Sequence, residues 1–260
     1  MAVLLPVALL TAACGDDDDP EQSAETTAAA EEELDGTLTV LAATSLKGAF
    51  EDVEAAFEEE HPDVDVQVTT DGSSNLATAI IEGGVPADVF ASADEANLQK
   101  VIDEGLAEEG GAEVFVTSSL QIVVEEGNPL GIEDLEDLTD PSISLSLCKA
   151  DVPCGSYAQK AFEAAGLSVP PAGTEDKVSG VVTKVSLGEA DAGIVYVTDV
   201  LAAEGDVDGV DLPDDQQVIA TYPAAMLSEA PNPAAAAELV DFLTSDEARE
   251  IFVRHGFGLP

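Results

Sequence analysis

Basic residues are the scarcest resource of this 260-residue chain: 8 Lys and Arg stand against 54 Asp and Glu, a formal net charge of −46. Such a balance excludes nucleic acid and anionic lipid surfaces as partners, because both need cations to replace their counterions. Histidine is nearly absent, with only His61 and His255. The chain also has no G-x-S-x-G elbow, no P-loop and no G-x-G-x-x-G after a strand. Those gaps leave little for acid–base or nucleophilic catalysis or for nucleotide binding, and the chain reads as a non-enzyme without cofactor or metal. Only three cysteines occur, Cys14, Cys148 and Cys154. After Cys14 no long apolar run follows, so the mature chain is not expected to span a membrane.

What is present points outward from the cytoplasm. Ala2 to Leu10 is an apolar stretch ending in Leu10-Thr11-Ala12-Ala13-Cys14-Gly15, which resembles a lipobox, with residues 1–13 as signal peptide and Cys14 as the lipidated first residue. It lacks the basic start of a signal peptide, which suggests a truncated beginning. Residues 14–36 read as an acidic, disordered tether. Ten acids lie between Asp16 and Asp35, so the rest of the chain keeps 44 acids against the same 8 bases, a net of −36. An acidic folded body this poor in lysine fits life at high salt, where counterions screen its self-repulsion. Cys148 and Cys154 form an even pair in an exported chain, and a short-loop disulfide is the expectation.

From residue 37 the apolar pattern alternates between strand and helix periods. Thr37 to Ala43 reads as a strand, and Leu46, Ala49, Phe50, Val53 and Phe57 repeat at helical spacing, with Ser45 at the N-cap position. Val64, Val66 and Val68 alternate, and Asp71-Gly72-Ser73-Ser74 turns into a helix carrying Leu76 and Ile80. Ala87 to Ala91 reads as a third strand, followed by a helix capped by Asp94. Three such units in a row predict a parallel α/β sheet. A second series runs from Ser119 through helices at Ser156 to Ala165 and Val178 to Leu187 and a strand at Ala192 to Val197. The chain ends in a helix from Ala234 and a capping box of Thr244 and Glu247, a tail able to return to the first lobe. Asp206-Val207-Asp208-Gly209-Val210-Asp211 alternates its carboxylates like a calcium loop but lacks the terminal bidentate Glu, and a solvated acidic loop is the simpler reading.

Four loops end in helix starts: Ala42 to Leu46, Asp71 to Ser74, Val152 to Gly155 and Asp176 to Val178. Helix N-termini present free amides and partial positive charge, so several converging on a cleft bind an anion without Lys or Arg. Taken singly, each loop is no more than a capped helix.

Through Val40 to Leu46, Pro86-Ala87-Asp88-Val89-Phe90-Ala91-Ser92-Ala93-Asp94, Val152 to Gly155, Gly188 to Tyr196, and Ile251-Phe252 through Gly256-Phe257, the chain resembles the periplasmic molybdate-binding proteins from about Leu38 to the end. The resemblance implies a type II periplasmic-binding-protein fold: two doubly wound α/β lobes joined by two crossovers, with a ligand cleft between them. Lobe 1 would comprise 37–117 and 227–260, and lobe 2 118–226. It also implies capture of molybdate or tungstate by a monomer that delivers it to an ABC transporter permease, the membrane being reached through the lipid anchor alone. Carried over residue by residue, the oxyanion ligands fall on Ser45, Ser73 and Tyr196 through hydroxyls and on Cys154 and Val178 through backbone amides. Ser74 competes with Ser73 for the second position, and Tyr196 has a purely packing alternative. Two departures stand out: Cys154 replaces a small residue, and Asp71-Gly72 replaces a small pair, so Asp71 must point away or be offset. A donor-only pocket suits molybdate, tungstate and sulfate and excludes phosphate, which keeps a proton and needs an acceptor. Sulfate or broader oxyanion binding, and a surface lipoprotein outside transport, are the alternatives.

Overall fold

The computed structural model describes residues 34–83, 85–203 and 205–260; the leader, Cys14 and most of the tether lie outside the described residues. Strand β1 (Gly36–Ala43) begins one residue earlier than expected and leads through a 3₁₀ turn, Thr44–Leu46, into α1 (Lys47–Glu60). There follow β2 (Val64–Asp71), α2 (Ser73–Ile81), β3 (Val89–Ala91), α3 (Glu95–Asp103) and β4 (Glu113–Ser118). The second series is β5 (Leu120–Glu125), β6 (Leu145–Cys148), α4 (Pro153–Ala164), β7 (Gly173–Glu175), α5 (Val178–Ser186), β8 (Ala192–Tyr196), α6 (Val197–Ala202) and β9 (Val207–Asp211). Strand β10 (Ala220–Met226), α7 (Pro233–Phe242) and α8 (Asp246–Arg254) close the chain.

Two five-stranded sheets result, ordered β2-β1-β3-β10-β4 and β7-β6-β8-β5-β9. In each, the first three strands are parallel and the fourth runs against them. That fourth strand is the one on which the chain arrives from the other lobe, β10 after β9 and β5 after β4. The boundary expected at 226 is therefore corrected: β10 pairs with β3 and β4, so the return to lobe 1 occurs between Asp211 and Ala220. Apolar alternation marks a strand but not its sheet, which is why the sequence assigns these seven residues to the wrong lobe. The two crossing segments are tied together by Gln217, whose side-chain oxygen accepts the Leu120 N–H at 2.8 Å and whose amide donates to the Leu120 carbonyl at 3.0 Å.

The parallel strands are covered on both faces, so β1 is buried continuously from Val40 to Ala43 rather than alternately. The apolar stripe of α1, Ala49, Phe50, Val53 and Phe57, is buried as its spacing predicts. Phe50 packs against Phe115 of β4 and Phe252 of α8, and Phe57 against Phe242 of α7, which returns the C-terminal helices to lobe 1. Asp88, 1% exposed, is a structural acid of the Pro86 to Asp94 stretch: its carboxylate accepts the Thr39 N–H at 2.7 Å and the Asn232 N–H at 2.6 Å, joining β1 to the start of α7.

Several local expectations change. Ser45 is no N-cap, for it lies inside the 3₁₀ turn and caps nothing. Asp94 does cap α3, accepting the Asn97 N–H at 2.8 Å. The cap of α8 is Ser245, not Thr244, whose hydroxyl donates to the Asp241 carbonyl instead. Asp206 to Asp211 is not a loop of either expected kind: Val207–Asp211 is an edge strand paired with β5, and its carboxylates decorate that strand. Among the described residues no group of acids, His or Cys is arranged to hold a metal ion, and no helix is long and apolar enough to cross a membrane.

Candidate functional site

Open α/β sheets leave their crevice beyond the carboxyl ends of the parallel strands, where successive loops turn into helices. Here the ends of β1, β2, β6, β7 and β8 bring their loops to one cavity between the lobes. Its lining includes Thr44, Ser45, Gly72, Ser73 and Ala93 from lobe 1 and Val152, Pro153, Cys154, Lys177, Val178 and Tyr196 from lobe 2. All five residues expected from the sequence, Ser45, Ser73, Cys154, Val178 and Tyr196, meet there. The free space for a water centre is about 20 Å³, a little more than one water requires.

From lobe 1, Ser73 is the first residue of α2 and is 1% exposed. Its Oγ accepts the Ala93 N–H at 3.0 Å, which leaves its own proton free to donate into the cavity. Ser74 turns elsewhere: its hydroxyl donates to the Asp151 carbonyl of lobe 2 at 2.7 Å. Ser45 Oγ lies 3.2 Å from the hydroxyl of buried Tyr222. Beside it, Thr44 Oγ1 is buried without a hydrogen-bond partner.

From lobe 2 come two helix starts and a phenol. Pro153 opens α4, where its missing N–H costs nothing, so Cys154 presents the first amide of that helix. Cys154 is joined to Cys148 at the end of β6, stapling the loop that carries this amide. The following Gly155 has no room for a side chain, since a Cβ would stand 2.6 Å from the Cys148 carbonyl. Val178 is the first residue of α5, and its helix cap Lys177 makes no side-chain cap. Amides at these positions have no carbonyl one turn earlier in their helices, and they add the partial positive charge of the helix ends.

Tyr196 ends β8, is 1% exposed, and its hydroxyl has no partner. Burial pushes its pKa well above the ordinary phenol value, and the neighbouring Tyr222 adds to this, so it stays a protonated donor. Tyr157, Tyr196 and Tyr222 stack edge to face, 6.3 and 5.8 Å between centroids, which fixes the ring of Tyr196 from both sides. Its backbone N–H is accepted by Asp199 at 3.1 Å, and burial raises that carboxyl to about 7.

No carboxylate lines the cavity among the described residues. The nearest expected difficulty, Asp71, is offset rather than turned away: it accepts the Gly72 N–H at 2.8 Å and pairs with Lys177 Nζ at 3.2 Å. These contacts hold its pKa below the usual carboxylate range despite the opposing effect of burial. Lys177 corrects the expectation of a site without cations, being a basic residue of the lining. Thr44 and Lys177 sit inside stretches already singled out in the sequence, whereas the contact of Ser45 with Tyr222, 177 positions away, has no local signal.

This arrangement can hold a compact anion through hydroxyl and amide donors while offering no carboxylate to accept a proton from it. Comparison with known proteins agrees with that chemistry. The chain is 38% identical over 224 residues to the molybdate-binding protein ModA of Mycobacterium tuberculosis, covering 86% of this chain and 85% of the relative. Its fold is similar to the periplasmic molybdate-binding protein of Azotobacter vinelandii (TM-score 0.74, 20% identity, 86% of this chain and 99% of that one). It is equally similar to the sulfate-binding protein SubI of M. tuberculosis (TM-score 0.74, 18% identity, 85% and 86%), so the fold by itself does not choose the anion. With residues 38–258 matching the bacterial extracellular solute-binding proteins, two mixed sheets and a donor-lined cavity between them, the chain belongs to that family.

Proposed function

We propose that this protein captures molybdate or tungstate outside the cytoplasm and delivers it to an ABC importer. One observation carries the reading: the hydroxyls of Tyr196 and Thr44 are buried without partners at a cavity that no carboxylate lines among the described residues. An unsatisfied buried hydroxyl is costly, and a ligand oxygen is the partner it lacks. Ser45, Ser73, Tyr196 and Thr44 donate through hydroxyls, and Cys154 and Val178 through amides at helix starts. Molybdate and tungstate need only donors, whereas hydrogen phosphate needs an acceptor for its proton. The 38% identity to a molybdate-binding relative over most of both chains favours these dianions over sulfate.

The protein acts as a monomer tethered through a lipid on Cys14. Lobe 1 comprises 37–117 together with the segment from about 220 to the end, and the stretch between forms lobe 2. Intact-mass analysis of the native protein checks the anchor, with a mature chain starting at a lipid-modified Cys14 expected. Calorimetric titration of the purified protein checks the ligand: tight binding of molybdate and tungstate, much weaker binding of sulfate and none of phosphate. Phosphate binding as strong as molybdate overturns the donor-only pocket, and sulfate binding as strong as molybdate replaces the reading with a broad oxyanion carrier.

A further inference from the structure

Three lysines of lobe 2 form ion pairs, and their partners differ in one respect. Lys149 pairs with Asp176 and Lys184 with Glu175, both within lobe 2. Lys177 pairs across the cleft with Asp71 of lobe 1 at 3.2 Å, and of the three only Lys177 lines the cavity. Each member of that pair is fixed to its own lobe. Asp71 accepts the Gly72 N–H at 2.8 Å and the Asn75 amide at 3.3 Å, while Lys177 is the N-cap residue immediately before α5.

The lobes meet tightly at this mouth. A Cβ on Gly72 would stand 2.5 Å from the Asp176 carbonyl, and Ser74 donates to the Asp151 carbonyl at 2.7 Å. A ligand therefore enters only when the lobes part. Parting them leaves Lys149 and Lys184 neutralised and removes Asp71 from Lys177 alone. The open cleft then carries one released ammonium, on a folded body whose net charge of −36 otherwise repels a dianion.

Resting on the oxyanion reading above, we propose that Lys177 is the capture cation of this protein. Unpaired in the open cleft it draws the oxyanion in; on closure it passes to Asp71, and the ligand is left to uncharged hydroxyl and amide donors. The pair is half exposed at both ends, with side chains 44% and 37% accessible, so its attraction is screened by salt.

The test is stopped-flow tyrosine fluorescence of the full chain with molybdate, at low and at molar KCl, for the parent, Lys177→Gln, Lys177→Arg, Lys149→Gln and Asp71→Asn. At low salt Lys177→Gln should slow association about tenfold, the lower end of electrostatic steering. The deficit should fall below about twofold in molar salt, where the Debye length is about 3 Å. Lys177→Arg should keep the parental rate. Lys149→Gln, which removes the same charge from a pair that opening does not break, should stay within about twofold of the parent, since a paired surface cation attracts little. Asp71→Asn should associate normally and dissociate about two- to fivefold faster, having lost the closing pair. Lys177→Gln associating as fast as the parent at low salt, or Lys149→Gln slowing it equally, overturns the inference while leaving the oxyanion reading intact. A parent that takes up neither molybdate nor tungstate by calorimetry overturns both.

Discussion

The two lobes share one sheet order but supply the cavity with different kinds of donor. Lobe 1 offers side-chain hydroxyls, Thr44, Ser45 and Ser73, set on the turns after β1 and β2. Lobe 2 offers backbone amides at Cys154 and Val178, a single phenol, and a disulfide that fixes one of the amide-bearing loops. A hydroxyl can be deleted by substitution, whereas an amide can only be displaced. Damage to the two lobes should therefore look different: loss of one hydrogen bond on one side, loss of geometry on the other.

The largest effect should come from the boundary between them. Gly72→Ala places a Cβ 2.5 Å from the Asp176 carbonyl of the opposite lobe, at a position whose φ of −62° suits alanine. Molybdate affinity should fall about a hundredfold, the upper end of the cost of overpacking, while the melting temperature without ligand stays unchanged. A matching fall in that temperature would mean that the contact is folding rather than closure. Next comes the deletion of a lobe 1 donor: Ser73→Ala should weaken binding by about 2 kcal/mol, roughly thirtyfold, as for a hydrogen bond to a charged group. Calorimetry giving less than threefold would remove Ser73 from the site.

On the lobe 2 side, replacing both Cys148 and Cys154 with Ser leaves every donor in place and frees only the loop. The loop closed is short, and by the chain-entropy account it contributes roughly 2 kcal/mol, too little to decide folding. Binding should weaken about tenfold through lost preorganisation. Parental affinity in the double variant, or two free thiols in the oxidised parent, would break the asserted role. The smallest effect concerns Asp199, raised to about 7 by burial from an ordinary value of about 4. Between those pH values the folded state binds more protons than the unfolded, so this group's contribution to stability falls as pH rises and is lowest above 7. Asp199→Asn should equal the parent near pH 4 and melt about 3 °C higher at pH 8, with molybdate affinity within about twofold. An equal difference at both pH values would assign the effect to packing.

Much of this asymmetry was legible in the sequence, because hydroxyls before a helix and Pro at a helix start are local signals. Ser45, Ser73, Cys154, Val178 and Tyr196, the positions implied by the resemblance to molybdate-binding proteins, all line the cavity. The features missed depend on tertiary packing. Thr44 becomes an orphaned hydroxyl only once its surroundings close over it. Asp71 looked like a liability because its partner lies 106 positions away at Lys177. The edge strand Val207–Asp211 was hidden because Gly209 and Asp211 stand where the apolar alternation begun by Val207 would continue. Likewise β10 took its place in lobe 1 through pairing partners that no window of sequence contains.

That placement of β10 has a consequence for the order in which the molecule is made. Lobe 2 is one uninterrupted stretch, whereas β4 reaches its sheet only through β10, its neighbour there. As the chain leaves its exporter from the N-terminus, lobe 2 has all its strands in hand while lobe 1 waits, split, for the last forty residues or so. A C-terminal truncation just before β10 should thus spare the lobe that comes second and unmake the one that comes first.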